Sequence, residues 1–148
     1  MKLFEFKKKP KKQFLNEKKI KIVTLSLSIG LLAIALTQKC YCTTGSCGDS
    51  IAAFLFGVFV GGAALCWLAN PLLILSWIFI KNNKLSLIMS VLSTLIAISF
   101  LLFDEIIADE AGHYRRIIGY EIGYWLWVSS NGIMLFGNYL IKKISTAR

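Results

Sequence analysis

The sequence predicts an all-α integral membrane protein, in which four transmembrane helices form an antiparallel bundle with both termini in the cytoplasm and no soluble domain. Three observations predict this class. Of the 148 residues, 56% are hydrophobic and only 17% are charged, whereas soluble domains carry about 25% charged residues. The mean hydropathy is +0.64. The charges lie in clusters between long apolar stretches, which excludes a disordered chain and a soluble globular domain.

Four apolar stretches are long enough to cross a bilayer, which requires about 20 residues. They cover residues 20–37, 51–80, 85–103 and 117–141. The second stretch is too long for one straight helix, because at 1.5 Å per residue it would measure roughly 45 Å. Pro71 divides it into halves that are too short to span separately. We therefore expect one helix kinked near Asn70–Pro71, since proline removes a backbone hydrogen bond.

The positive charges predict the orientation. All but Lys39, Arg115 and Arg116 of the 17 Lys and Arg residues lie in segment 1–19, at Lys21, in the turn 81–84 or in the tail 142–148. The positive-inside rule places these segments in the cytoplasm, as expected of a multi-pass plasma-membrane protein. Lys39 precedes Cys40 and does not suit signal-peptide cleavage, so we expect the first stretch to remain as a span. Segment 1–19 is predicted to contact anionic lipid headgroups and no nucleic acid.

Small residues predict the faces through which the helices associate, because membrane helices pack where their backbones can approach closely. Gly57 and Gly61 form a G-x-x-x-G pattern in the second stretch, and Gly119 and Gly123 form another in the fourth. Further stripes of small residues are Ser26, Gly30, Ala33 and Thr37 in the first stretch and Ser86, Ser90, Ser93, Thr94 and Ala97 in the third. These faces predict packing within the bundle, or association with a second copy or another membrane protein.

The fourth stretch carries a polar face roughly opposite its small residues. Glu121, Tyr124, Asn131 and Asn138 fall within about a third of the helix circumference. Such residues are costly in lipid, so they should face protein or a water-filled cavity. Two interpretations stay open at this point: hydrogen bonds to the hydroxyl groups of the third span, or a polar path for ions or protons.

Three of the four cysteines, Cys40, Cys42 and Cys47, fall in the first outer loop, and Cys66 lies within the second span. An oxidising compartment favours a structural disulfide between Cys47 and either Cys40 or Cys42. Soft-metal binding by the C-x-C pair is an alternative. The span number, the orientation and the loop cysteines resemble bacterial quinone-coupled disulfide oxidases, which implies thiol–disulfide exchange. The C-x-x-C motif and the second-loop cysteine pair of those enzymes are missing here.

The second outer loop is acidic and contains the spacing Glu110-x-x-His113, an alternative site for weak binding of a divalent cation. Nucleotide-binding, hydrolase and zinc-protease motifs are missing from the sequence. We therefore expect no enzyme, resident metal or cofactor. The predicted function is a small membrane protein that acts through helix–helix and outer-loop contacts, as an accessory subunit, an immunity-type protein or a membrane effector. A small oligomeric channel or carrier is the second hypothesis, and thiol–disulfide or soft-metal handling is the third.

Overall fold

The computed structural model describes residues 11–59, 61–107 and 112–146, and within these residues the chain forms five α-helices and four β-strands. In chain order the elements are α1 (Lys11–Leu36), β1 (Lys39–Thr43), β2 (Cys47–Asp49), α2 (Ser50–Phe56), α3 (Ala69–Ile78), α4 (Asn83–Ser99), β3 (Glu105–Ile107), β4 (Tyr114–Tyr120) and α5 (Ile122–Thr146). Short 3-10 helices cover Gly57–Phe59, Gly61–Leu68, Phe79–Lys81 and Phe100–Leu102.

The protein is mostly helical, but the expectation of an all-α fold is wrong for the connection from α1 to α2 and the connection from α4 to α5. Each forms a β-hairpin, and the hairpins join into one antiparallel sheet with the strand order β2-β1-β4-β3. In the central pair, Tyr41 lies opposite Tyr120 and Cys42 lies opposite Gly119. The sheet forms because both connections leave the same end of the helices, where their unpaired backbone groups can hydrogen-bond to one another.

Contacts between α5 and its neighbours establish the directions of the long helices. Ser28 of α1 bonds to Ser130 of α5. Farther from the sheet, Thr24 of α1 lies against Gly137. Since the residue numbers fall along α1 as they rise along α5, the two helices are antiparallel. The same test makes α4 antiparallel to both α5 and α3, so the long helices alternate in direction.

Three segments are long and apolar enough to cross a membrane, namely Leu15–Leu36, Ala63–Lys81 and Asn83–Leu102 within the described part of the chain. The fourth predicted stretch divides differently. Its first residues belong to β4, and α5 begins at Ile122 and continues to Thr146. With 25 residues α5 is long enough to span. Its mean hydropathy is lower than that of the three membrane-length segments, because α5 carries polar residues such as Asn131 and Asn138.

The second apolar stretch folds back on itself instead of forming one long helix. Trp67 Nε1 donates a hydrogen bond to the Phe54 carbonyl oxygen at 2.7 Å, although the two residues are separated by 13 positions. In a continuous helix these residues would lie about 20 Å apart. Gly57 and Gly61 flank the reversal, where residues without side chains allow close approach. The membrane-length part of the stretch is therefore Ala63–Lys81.

The expected kink at Asn70–Pro71 stays a prediction. The 3-10 helix Gly61–Leu68 runs directly into α3, which begins at Ala69, so Pro71 lies where this segment changes from 3-10 to α geometry. A proline at this point cannot donate a backbone hydrogen bond to the preceding turn.

The helices on either side of the turn 81–84 are antiparallel neighbours, as the bonds from Ser76 to Ser86 and from Ser93 to Ala69 show. A short 3-10 helix, Phe79–Lys81, follows α3, and the Asn82 side chain then caps α4 by accepting from the Leu85 N–H at 3.3 Å.

Candidate functional site

A disulfide ties the first hairpin together. Cys42 and Cys47 are bonded and lie directly opposite one another in β1 and β2. The Thr43 N–H donates to the Ser46 carbonyl at 2.9 Å and closes the turn between the strands. The sequence left two partners open for Cys47, and the structure selects Cys42 because its side chain faces Cys47 across the hairpin.

The two remaining cysteines are buried thiols. Cys40 Sγ donates to the Gly48 carbonyl oxygen at 3.2 Å. Burial raises the pKa of the Cys40 thiol above its usual value, because the thiolate would lose its hydration. Since the thiolate is the nucleophile in disulfide exchange, Cys40 is poorly suited to attack the nearby disulfide or to link two chains. Cys66 Sγ lies 3.6 Å from Ser99 Oγ.

Glu121 lies at the junction of β4 and α5 and is exposed, so it does not belong to a buried helix face. Its backbone N–H donates to the Cys40 carbonyl at 2.9 Å, and its carboxylate lies 3.4 Å from Cys42 Sγ. Within the described residues, donor atoms of Cys42, Cys47 and Glu121 lie within 4.8 Å of one another. The two sulfurs share a disulfide, so this oxidised group lacks the thiolates that soft metals require.

The other predicted cation site is incompletely described. His113 is exposed next to β4, and Glu110 lies outside the described residues.

Asn131 and Asn138 are buried in the protein interior and bond to hydroxyl groups of α4. Asn131 Oδ1 accepts from Ser93, and its amide donates to the Trp127 carbonyl at 2.9 Å. The Asn138 amide donates to Ser90 Oγ at 3.1 Å, and its Oδ1 accepts from Ser86 at 3.1 Å. These bonds use both ends of each amide, so they support the first of the two interpretations of the polar face.

Tyr124, the fourth residue of the predicted polar face, is also buried. Its hydroxyl donates to the Ala97 carbonyl of α4 at 3.1 Å. Its ring contacts the rings of Tyr120, Phe100 and Trp127 with centroid separations of 4.9, 5.8 and 5.9 Å. Tyr124, Asn131 and Asn138 therefore join α5 to α4, whereas Glu121 joins the sheet.

The two predicted glycine pairs do not lie at contacts between two long helices. A Cβ at Gly57 would lie 3.1 Å from Trp67 Cδ1, so Gly57 packs inside the folded-back segment. Gly61 lies in a 3-10 helix. Gly119 is in β4, and Gly123 alone of that pair is helical. The pattern Gly119-x-x-x-Gly123 is therefore not a helical motif, because spacing by four defines a helix face only within a helix.

Gly123 instead allows α5 to approach the first hairpin. A Cβ at this position would overlap Ser50 Oγ and the Lys39 carbonyl. The predicted small-residue face of α1 does not pack within the bundle, since Ser26, Ala33 and Thr37 are exposed and Gly30 has open space beside it. The buried face of α1 lies elsewhere on the helix and comprises Glu17, Thr24, Ser28, Leu32 and Ala35.

Sequence reasoning missed an exposed face on the four-stranded sheet. Tyr114, Arg116 and Ile118 alternate along β4 and project from one face, since every second strand residue shares a side. Tyr114 is 62% exposed and Ile118 is 65% exposed. The signal in the sequence was the group of aromatic and β-branched residues in Tyr114–Tyr120, which is typical of a strand.

Comparisons with protein-family models, with curated proteins and with solved structures give no match to this chain.

Proposed function

We propose that this protein is a four-span plasma-membrane protein that acts through contacts of its outer sheet, without enzymatic activity. In this proposal α1, the segment Ala63–Lys81, α4 and α5 are the spans. The sheet lies outside, and both termini lie in the cytoplasm. The contact partner is another membrane protein or a second copy of the chain. Segment 1–19, of which residues 11–19 are helical, contacts anionic lipid headgroups on the cytoplasmic side.

The alternating directions of the long helices support this topology. The two hairpins extend from one end of the helices, whereas Lys11, the turn 81–84 and Lys143 lie at the other. That second end carries most of the positive charge, as cytoplasmic segments do. α5 is less apolar than the other three, but its polar residues Asn131 and Asn138 are buried against α4. A span of this kind can therefore cross lipid without exposing its amides.

The observation that carries the functional proposal is the exposed face of Tyr114, Arg116 and Ile118 on a braced sheet. β4 pairs with β1, which the disulfide ties to β2. The Ile117 N–H donates to the Asp104 carbonyl at 2.8 Å, which extends the pairing of β4 with β3 by one residue. Tyrosine and arginine are enriched among residues that dominate binding energy at interfaces. A rigid surface of this composition is suited to recognition, because little conformational entropy is lost on binding.

The channel hypothesis has weaker support. A polar path would need side chains that face water, yet Asn131 and Asn138 are bonded to α4 serines. Glu121 lies at the sheet, away from them. The hypothesis of thiol–disulfide exchange also has weaker support. Cys40, the free thiol in the same hairpin as the disulfide, is buried, and its pKa is raised. The contact proposal does not require Asn131, Asn138, Glu121 or Cys40 to give up its present contacts.

Site-specific photocrosslinking in intact cells tests the contact proposal. p-Benzoylphenylalanine replaces Ile118 on the sheet or, as a control, Leu95, which is 61% exposed on α4. We expect a discrete protein adduct from position 118 and none from position 95. Arg116→Glu should reduce the adduct about fivefold, which corresponds to roughly 1 kcal/mol of binding energy. Equal yields at the two positions, or no adduct from position 118, would contradict the proposal.

A further inference from the structure

A groove lies between the four-stranded sheet and α2. Its volume is about 250 Å³, and all four strands contribute to its wall. The sheet side carries the two charged residues of the wall, Arg115 and Asp49. The α2 side carries Ala52 and Phe56. A ligand that fills this groove would therefore need one charged end and one apolar end.

Arg115 supplies the positive charge of the groove. Since alternate strand residues share a face, Arg115 lies on the opposite side of β4 from Tyr114 and Arg116, toward α2. A Cβ at Gly45 would overlap the Arg115 guanidinium, so the missing side chain at the hairpin turn allows this group to lie across the turn. Among the described residues, no carboxylate forms an ion pair with Arg115. Its charge is therefore available to a ligand.

The other charged residue of the wall, Asp49, already has a partner. Its Oδ1 accepts a hydrogen bond from Lys39 Nζ at 2.6 Å. With this pair neutralised, the charge of Arg115 favours an anion in the groove. Arginine suits a phosphate in particular, because its planar guanidinium can present two parallel N–H donors to two phosphate oxygens.

Next to this charge, α2 exposes an apolar surface. Phe56 is 62% exposed, and Phe59, which follows α2, is 77% exposed. Both belong to the stretch that leads into the membrane-length segment Ala63–Lys81, where Leu65 is 69% exposed. In the proposed membrane placement the exposed side chains of that segment meet lipid. The apolar side of the groove is therefore continuous along the chain with a lipid-facing surface.

We propose that the groove binds an anionic phospholipid, with the phosphate at Arg115 and one acyl chain against α2. A phospholipid carries its negative charge directly next to its chains, which matches the position of Arg115 beside Phe56. One cation near a membrane surface favours anionic lipid by about fivefold in affinity. The inference rests on the proposed membrane placement and not on the contact function, since Tyr114, Arg116 and Ile118 lie on the other face of β4.

Photoactivatable lipids test this site. The full chain is placed in phosphatidylcholine nanodiscs that contain a trace of a phosphatidylglycerol probe or a phosphatidylcholine probe, each with the same diazirine in one acyl chain. Mass spectrometry of peptides maps the labelled residues. We expect the phosphatidylglycerol probe to label residues 50–59 about fivefold more than the phosphatidylcholine probe does. The region of α4 around Leu95, which is 61% exposed, should be labelled equally by both probes.

Two neighbouring arginines provide matched variants. Arg115→Gln should bring the labelling of residues 50–59 by the two probes to within a factor of about two, because it removes the charge. Arg116→Gln removes the same charge from the opposite face of β4 and should keep the preference. Unchanged labelling of α4 in Arg115→Gln shows that this variant is folded in the bilayer. Mapping also separates the groove from segment 1–19, which the proposed function places at the other end of the helices.

The proposal is overturned if the two probes label residues 50–59 of wild type equally, or if the preference survives Arg115→Gln. It is also overturned if excess soluble glycerol phosphate abolishes the preference, since the groove would then bind a free phosphate without an acyl chain. Labelling of α4 without labelling of residues 50–59 would mean that protein covers α2 in place of lipid. If neither probe labels α4, the membrane placement itself is wrong, and this outcome is distinct from failure of the lipid site.

Discussion

Gly137 and Thr24 mark a point of close approach between α1 and α5. A Cβ at position 137 would overlap the Thr24 side chain. We therefore expect Gly137→Ala to lower the free energy of unfolding by roughly 1–3 kcal/mol, as overpacking does in tightly packed interiors. Thermal unfolding in detergent, followed by circular dichroism, measures this change.

Gly30→Ala is the matched control, because it adds the same methyl group to α1 where nothing lies within 4 Å. Alanine favours a helix over glycine, so this variant should unfold at an equal or higher temperature. If Gly137→Ala were as stable as Gly30→Ala, the packing of α1 on α5 would be wrong. Thr24→Ser, which removes one methyl group, should partly restore Gly137→Ala.

Tyr41 in β1 makes the free energy of unfolding depend on pH in the alkaline range. Burial, together with the nearby Cys40 thiol, raises the pKa of Tyr41 from 10.0 to about 12. A folded-state pKa above the unfolded value stabilises the protein below pH ~10, and this contribution is lost as the pH rises through ~12. Tyr41→Phe should therefore lose less stability than wild type between these two pH values.

Tyrosinate absorbance supplies the measurement for Tyr41. Tyr41→Phe should remove one component that titrates with an apparent pKa of about 12, while Tyr114→Phe removes an exposed phenol from the same sheet. An identical high-pH component in wild type and Tyr41→Phe would show that Tyr41 is not buried beneath the sheet as described.

At the residue scale, the sequence predicts correctly where the polarity of a side chain alone decides whether it is buried. Asn131 and Asn138 were expected to avoid lipid, and they are buried. The sequence alone could not choose between Cys40 and Cys42 as the partner of Cys47, because the choice depends on the register of β1 against β2. Glu121 was assigned to a helix that begins one residue later.

At the scale of single elements, the disulfide should stabilise the first hairpin and leave the helices unchanged. The bond closes a loop with a sequence separation of 5, for which chain entropy predicts about 2 kcal/mol. The double variant Cys42→Ser, Cys47→Ser should therefore speed amide hydrogen exchange in β1 and β2 by up to roughly 30-fold. Exchange in α5 should not change.

Cys66→Ala is the control for this experiment, since it removes a buried thiol that takes no part in the disulfide. Its exchange in β1 should match that of wild type. Slow exchange in β1 of the double variant would mean that backbone pairing with β4 alone holds the hairpin, and the bracing attributed to the disulfide would be wrong.

The sheet escaped prediction because its strands are short and follow directly on apolar helices. β2 and β3 have three residues each, too few to show a clear alternation. The two hairpins are joined by pairing of β1 with β4, and these strands are distant in sequence. The fold-back at Gly57 was missed for a related reason. Hydropathy does not distinguish one long apolar helix from two shorter ones, and the Trp67–Phe54 bond that holds the turn is a tertiary contact.

For the whole molecule, composition and hydropathy predicted the membrane-compatible helices, because apolar length is a property of the sequence itself. The structure contains three such helices in its described part, and the status of α5 decides the topology. Three spans would place the start of α1 and the end of α5 on opposite sides of the membrane, and four would place them on the same side.

The proposed four-span topology predicts a specific pattern of labelling by a membrane-impermeant thiol reagent. Single cysteines replace Ser46 in the first hairpin, Lys84 at the start of α4 and Thr146 at the end of α5. The native free thiols are buried, so their background should be low. In intact cells Ser46→Cys should be labelled, whereas Lys84→Cys and Thr146→Cys should be labelled only after the membrane is permeabilised.

This pattern follows because α5 runs antiparallel to α4 along its whole buried face, and a helix of 25 residues is long enough to return to the side from which α4 began. Labelling of Thr146→Cys in intact cells, with Lys84→Cys protected, would instead establish three spans and place the end of α5 outside.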